Sequence, residues 1–167
     1  MHCIMRPPIK EDEKAKMIPA PCPTVVLDTN VCLDLFVFRD VHTLPLLQAL
    51  ETGAISAVTG STCRDEWLLV LHYPHLKLDP VRRLQVTQEF DRYIRCIAPP
   101  ELGQRLPVCS DKDDQKFLQI ARDAKAQHLL TKDKALLKLA RKTAQAGLFT
   151  ILLPQAWARA QTNTFLV

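Results

Sequence analysis

Glycine is scarce in this chain, with 4 in 167 residues. No glycine-rich loop of the kind that cradles nucleotide phosphates is present, which argues against a P-loop nucleotide hydrolase. No Gly-x-Ser-x-Gly elbow or other serine-hydrolase signature occurs either. The six cysteines, Cys3, Cys22, Cys32, Cys63, Cys96 and Cys109, include no Cys-x-x-Cys pair, so a thiolate zinc site is not expected. Residues 1–23 lack the continuous apolar core of a signal peptide. Reduced thiols and a cytoplasmic location are therefore the expectation. No apolar run approaches the roughly 20 residues that span a bilayer, so no membrane association is expected. Nor does one sign of charge dominate: 22 Lys and Arg against 18 Asp and Glu leave a formal +4. That balance is compatible with a polyanionic partner, although many proteins without one share it.

What is present suits one globular domain with a single buried core. Residues 1–23 hold Pro7, Pro8, Pro19, Pro21, Pro23 and the charged run Lys10 to Lys16. They are expected to form a flexible extension, with Met17 as an alternative start. The domain is expected over 24–160, followed by a tail over 161–167. Thr24-Val-Val-Leu27 is a short, continuously apolar run, as in a parallel strand buried on both faces. A helix is expected over Leu44 to Leu50, stopped by Gly53, then a strand over 54–59. Ser61 or Thr62 would cap a helix through Trp67 to Leu71, ending before Pro74. Asp79-Pro80 opens another helix, whose apolar positions Leu84, Phe90, Ile94 and Ile97 carry it to about residue 97. A loop over 98–108 precedes a helix capped by Ser110 or Asp111, with the stripe Phe117, Ile120, Ala121 and Ala124. Leu129 to Thr131 reads as a strand, followed from Asp133 by one helix to about Gly147. A last strand, Leu148 to Leu153, and a short helix from Pro154 complete the pattern. Alternating strands and helices imply an α/β domain: a three-layer αβα arrangement around a mostly parallel sheet.

In such sheets, sites form beyond the carboxyl ends of the strands. Asp28 follows the first strand and Asp133 follows Leu129-Thr131. Glu66 and Asp114 lie on helices, and Asp114 sits three residues before Phe117, at the edge of the core-facing stripe. Taken singly, each acid has a plainer role. Aspartates at helix starts usually cap the helix and complement its dipole, which applies to Asp111, Asp113 and Asp114. An aspartate after a strand is often a turn residue, and Glu66 alone reads as a solvated charge. Taken together they change meaning. Carboxylates converging on one point repel each other unless a cation compensates them. Hard oxygen donors without a Cys/His cluster favour Mg2+ or Mn2+ over zinc.

Four segments carry a resemblance. They are Val25-Val-Leu-Asp-Thr-Asn-Val-Cys-Leu-Asp34, Arg64-Asp-Glu-Trp-Leu-Leu-Val-Leu71, Asp111-Lys-Asp-Asp-Gln-Lys-Phe-Leu-Gln-Ile-Ala121 and Leu129-Leu-Thr-Lys-Asp-Lys-Ala-Leu-Leu137. In this order and spacing, over about residues 24 to 153, they resemble the PIN domain family of nucleases. The similarity is greatest to its bacterial branch of toxin components from toxin–antitoxin modules. The resemblance implies an endoribonuclease that cleaves RNA phosphodiesters with water activated by one or two Mg2+ or Mn2+ ions. It further implies a homodimer and a cognate antitoxin. Asp28, Glu66, Asp114 and Asp133 would be the catalytic and metal-binding residues, with Asn30 and Thr131 orienting ligands or water. Counting back from Ala121 selects Asp114 as the third acid, and Asp111 and Asp113 are near enough to assist or substitute.

Lys134, Lys138, Arg141 and Lys142 recur at i, i+4, i+7 and i+8, one basic helical face. A solvated face is the default for such a pattern. An RNA phosphate track beside Asp133 is the functional alternative. His72 and His75 flank Pro74, which breaks the helix a metal pair would need. Trp67 and Trp157 are most simply core or interface residues. Two other classes compete with the nuclease. One is a PIN-like module that binds RNA or protein without cleaving. The other is an aspartyl-phosphate phosphatase, which needs an acid two residues after its nucleophile. Here that position is Asn30, which cannot protonate a leaving group.

Overall fold

The computed structural model describes residues 22–98 and 103–164, with side chains described through residue 161. Residues 1–21 of the expected extension, Met17 among them, lie outside the described residues, as do 99–102 of the expected loop and 165–167 of the expected tail. Five strands form the sheet: β1 (Thr24–Leu27), β2 (Ser56–Gly60), β3 (Ile94–Ile97), β4 (His128–Leu130) and β5 (Thr150–Leu152). Their order is β3-β2-β1-β4-β5 and every pairing is parallel. The helices are α1 (Thr29–Cys32), α2 (Leu44–Glu51), α3 (Ser61–Val70), α4 (Pro80–Tyr93), α5 (Gln115–Asp123), α6 (Lys134–Leu137), α7 (Ala140–Gln145) and α8 (Pro154–Thr164).

Strand β1 shows why the sheet is sandwiched. Successive side chains point to opposite faces, and both faces are covered. Val25 and Leu27 pack with Trp67, Phe90 and Trp157 in one layer. Val26 packs with Phe117, Leu118, Ala121 and Leu136 in the other. Helix α3 serves both layers, because Cys63 lies in the second and Trp67 in the first. It therefore crosses over the carboxyl edge of the sheet. Trp67 stacks on Phe90 at 5.0 Å between ring centroids, and Phe36 meets Trp67 edge-on at 6.3 Å. Both tryptophans are core residues, as expected from the sequence.

The chain departs from the sequence expectations at several elements. The helix opened by Asp79-Pro80 stops at Tyr93, and Ile94–Ile97 is strand β3, paired with β2. Phe90, Ile94 and Ile97 fit helical spacing, but β-branched residues also suit a strand, and an open edge on β2 takes them. Leu84, expected on the apolar face, is exposed. Residues 29–38 form α1 and a π-helical turn (Leu33–Phe38) that burial of Val31, Cys32, Leu35 and Phe36 stabilises. The helix after Asp133 is two, with Leu139 at the start of α7. Gly60 rather than Ser61 or Thr62 precedes α3, and Asp114 rather than Ser110 or Asp111 precedes α5. Helix α8 runs to Thr164, past residue 160.

Candidate active site

The strand order reverses direction about β1 and β4: β2 and β3 build outward on one side, β4 and β5 on the other. Such a switch point opens a crevice beyond the carboxyl ends of the two central strands. Asp28 and Thr131 stand there, each immediately after a strand. The Asp28 N–H donates to Leu130 O and the Thr131 N–H to Leu152 O, both at 3.0 Å, so the sheet ladder itself fixes their backbones.

A chain of hydrogen bonds joins the two strand ends. The Thr131 hydroxyl donates to Asp28 Oδ2 at 2.6 Å and accepts from the Asp133 N–H at 2.9 Å. Asp28 Oδ1 accepts from the Asn30 N–H at 3.1 Å. Asp133 Oδ1 in turn accepts from the N–H groups of Ala135 and Leu136, at 2.6 and 3.1 Å. Asp28 and Asp133 are thus both helix N-caps, a role the sequence reading gives to Asp111, Asp113 and Asp114, and this holds them at one rim. Asp28 is almost fully buried. Burial pushes its pKa up, the hydrogen bonds from Thr131 and Asn30 oppose this, and the charge of Asp133 adds to the rise.

Glu66 enters from the middle of α3. Its Oε1 accepts from the Thr29 hydroxyl at 3.1 Å, and its Oε2 pairs with the ammonium of Lys116 on α5. Asp114, at the start of α5, is half-buried, and its side chain does not cap the helix. Its pKa is pushed up to about 6, first by burial, then by the charges of Asp133, Asp28, Asp111 and Glu66. Asp114 therefore feels every other acid of the constellation. Asp111 and Asp113 are exposed, and Asp111 Oδ1 is occupied by the Asp113 N–H at 2.9 Å. Lys134, Lys138, Arg141 and Lys142 are all exposed on α6, α7 and the turn between them. His75 lies beside Tyr73, with ring centroids 5.8 Å apart.

Proximity stops short of a closed ligand set. Among the described residues, no three His, Cys, Asp or Glu side chains are gathered tightly enough to hold an ion as they stand. The local bonds explain this: Glu66 is turned to Lys116 and Thr29, one oxygen of Asp133 caps α6, and like charges favour spreading. The donor chemistry nevertheless fits a hard divalent cation. The oxygens share one rim and repel each other, and the nearby thiols are poor competitors. Burial pushes the Cys63 thiol up to about 12, and burial holds the Cys32 thiol well above its ordinary range.

Three residues of this rim carried no sequence signal strong enough to single them out. Lys116 neutralises Glu66 from a neighbouring helix. Asp34, buried in the π-helical turn, pairs with Lys132 at 2.5 Å and so ties the β4–α6 connection to the segment after β1. The acids at 28 and 34 and the lysines at 116 and 132 are far apart in sequence, so nothing but the folded chain pairs them.

The rise at Asp114 has a measurable consequence. A carboxylate with a raised folded-state pKa binds its proton more tightly when folded. Stability from this group is then greatest below its ordinary value of 3.8 and is lost as pH rises toward about 6. In chelator, the contribution of Asp114 to stability should fall across that window, so the difference in stability between the protein and Asp114→Asn should change there. Denaturant titrations at a series of pH values measure it. An identical profile in the variant would show that Asp114 is not coupled to the other acids.

Comparison with known proteins gives one family. No curated protein matches the chain. A family model described as a PIN domain matches residues 24–135, which takes in β1 through the start of α6 and all four acids. Members of that family are typically nucleases and generally use divalent metal ions. With the all-parallel sheet, the switch-point crevice and the acids at its rim, the match over more than half of its length places this chain in the PIN domain family.

Proposed function

We propose that the protein is a Mg2+- or Mn2+-dependent endoribonuclease that hydrolyses RNA phosphodiesters. The observation that carries this is the hydrogen-bonded link from Asp28 through Thr131 to Asp133 at the carboxyl rim of a PIN-family sheet. Asp28, Glu66, Asp114 and Asp133 would hold the ion, with Asp111 near enough to assist. Once bound, the ion supplies positive charge that offsets the carboxylates, activates water and neutralises phosphate oxygens. The chain does the rest. Thr131 locks the Asp28 carboxylate in place, and Asn30 supports its other oxygen. Lys116 keeps Glu66 at the rim and offers an ammonium to an approaching phosphodiester. The exposed Lys134, Lys138, Arg141 and Lys142 are suited to phosphate contacts further along the strand.

The similarity of the four motifs to the toxin branch supports a cognate antitoxin, a homodimer and action in the cytoplasm. No described helix is long and apolar enough to cross a membrane, and the described cysteines are free. A small DNA-binding protein encoded just upstream would support the toxin assignment.

The test is cleavage of single-stranded RNA. Purified protein should cut with Mn2+ or Mg2+ and stop with a chelator, and equal cutting in chelator would overturn the mechanism. The ion pair between Glu66 and Lys116 favours a second reading, a catalytically silent RNA- or protein-binding module, since it leaves Glu66 already compensated. RNA binding without cleavage in Mn2+ would establish that reading.

A further inference from the structure

Beside the acids lies a cavity of about 210 Å3, at the carboxyl ends of β2 and β3. It is smaller than the roughly 300–1,000 Å3 clefts that hold drug-sized ligands. Its floor is apolar, formed by Gly60, Ile97 and the buried Ile120. Its margin is polar: Ser61, Thr62 and Gln119 contribute hydroxyls and an amide, Asp123 a carboxylate paired with Arg122, and Lys116 stands where the cavity meets Glu66. Lys116 thus belongs to both places. The cavity sits over β3 and β2 and the acids over β1 and β4, about two strand spacings away, or roughly 10 Å.

We propose that this cavity is a nucleobase subsite, taking one base of a single-stranded RNA next to the linkage that the acids address. The proposal rests on the nuclease reading for its direction, but not for its chemistry. An aliphatic floor suits the face of a base, and a margin of hydroxyls and an amide can donate to and accept from a base edge. The volume fits one base better than a whole nucleotide. The ammonium at the acid-facing side then meets the phosphate that follows. A strand held this way runs along the carboxyl rim from the cavity, past Lys116, to the acids and on toward Lys134.

Gly60 leaves Ile120 room in the floor. Its φ of −106° is one that any residue adopts, so backbone freedom is not the reason for a glycine here. A Cβ there would lie 3.1 Å from Ile120 Cδ1 and 3.2 Å from its Cγ1, so Ile120, itself a residue of the floor, would have to shift. Gly60→Ala therefore disturbs the floor, and Ala98→Leu places bulk at an exposed lining position.

The test is saturation-transfer NMR on the full chain in chelator, with each of the four ribonucleoside 5′-monophosphates and with inorganic phosphate as competitor. Base protons of at least one nucleotide should receive more saturation than ribose protons. Both variants should weaken that nucleotide's binding by about five- to a hundredfold, the range expected for lost base contact. Gln119→Ala changes an exposed side chain with little bearing on folding, and it should flatten the preference among the four bases. Base saturation unchanged in Ala98→Leu and Gly60→Ala would overturn the proposal. So would ribose-only saturation, or full competition by inorganic phosphate. The outcomes separate the two claims: base binding without RNA cleavage in Mn2+ sinks the nuclease alone, and cleavage without base contact sinks the subsite alone.

Discussion

Asp28→Asn should lower RNA cleavage by on the order of a hundred- to a thousandfold, the loss typical when one preorganised electrostatic group is removed from an active site. The substitution conserves volume and removes a charge that the fold buries almost completely. Stability should move the other way from activity. The Asp28 pKa is raised by burial, so the folded state disfavours the charged form, and a neutral side chain relieves that at neutral pH. One contact opposes the gain: an amide nitrogen set against the Thr131 hydroxyl could not accept its proton. Melting temperature in chelator should therefore hold or rise slightly, while the rise on adding Mn2+ should shrink. Cleavage kinetics and paired melting curves check both halves. A variant that still cuts RNA with metal would remove Asp28 from the site.

Thr131→Val should destabilise the protein by about 2–3 kcal/mol. The hydroxyl is fully buried and is the single link between the Asp28 carboxylate and the Asp133 N–H. Valine keeps the shape, so no cavity forms. It strands a buried carboxylate oxygen and a backbone donor, and bonds to charged groups contribute roughly 1.5–3 kcal/mol each. For a chain of this size the melting temperature should fall by about 5–10 °C. Metal affinity should drop about 10- to 100-fold, as when a group that orients a ligand is lost. Thr131→Ser retains the hydroxyl and should recover most of both. In an Asp28→Asn background the valine should cost less, because its main partner is already altered. Denaturant titration of the four proteins measures this. Equal costs in both backgrounds would show that the hydroxyl does not act through Asp28.

Much of the fold is legible along the chain. Continuous apolarity in Thr24–Leu27 identifies a strand covered on both faces, and Pro80 after Asp79 marks a helix start. Strand β3 is the instructive failure. Phe90, Ile94 and Ile97 satisfy helical spacing, and no local feature tells a helix from a strand there. The open edge of β2 decides it, and that edge exists only once the sheet has formed. Helix α1 and the π-helical turn after it are illegible for a related reason: Val31, Cys32, Leu35 and Phe36 are too short a stripe to mark a helix before the core receives them.

The acids divide along the same line. Sequence alone placed Asp28 and Asp133 after apolar strands, and the four motifs in order named the family and nominated Glu66 and Asp114. These are local matters, since strand ends, caps and residue spacing are written into neighbouring positions. What only the tertiary structure decided is how those acids are held and compensated. Thr131 joins Asp28 to the Asp133 backbone across 103 positions, Lys116 from α5 meets Glu66 on α3, and Lys132 reaches the buried Asp34. The cavity between Gly60 and Lys116 is of the same kind, assembled from the ends of two strands and the flanks of two helices. No periodicity can announce such contacts, because a hydrogen bond or an ion pair depends on distances of about 3 Å, and those are set by how the sheet orders its strands rather than by how the residues follow one another.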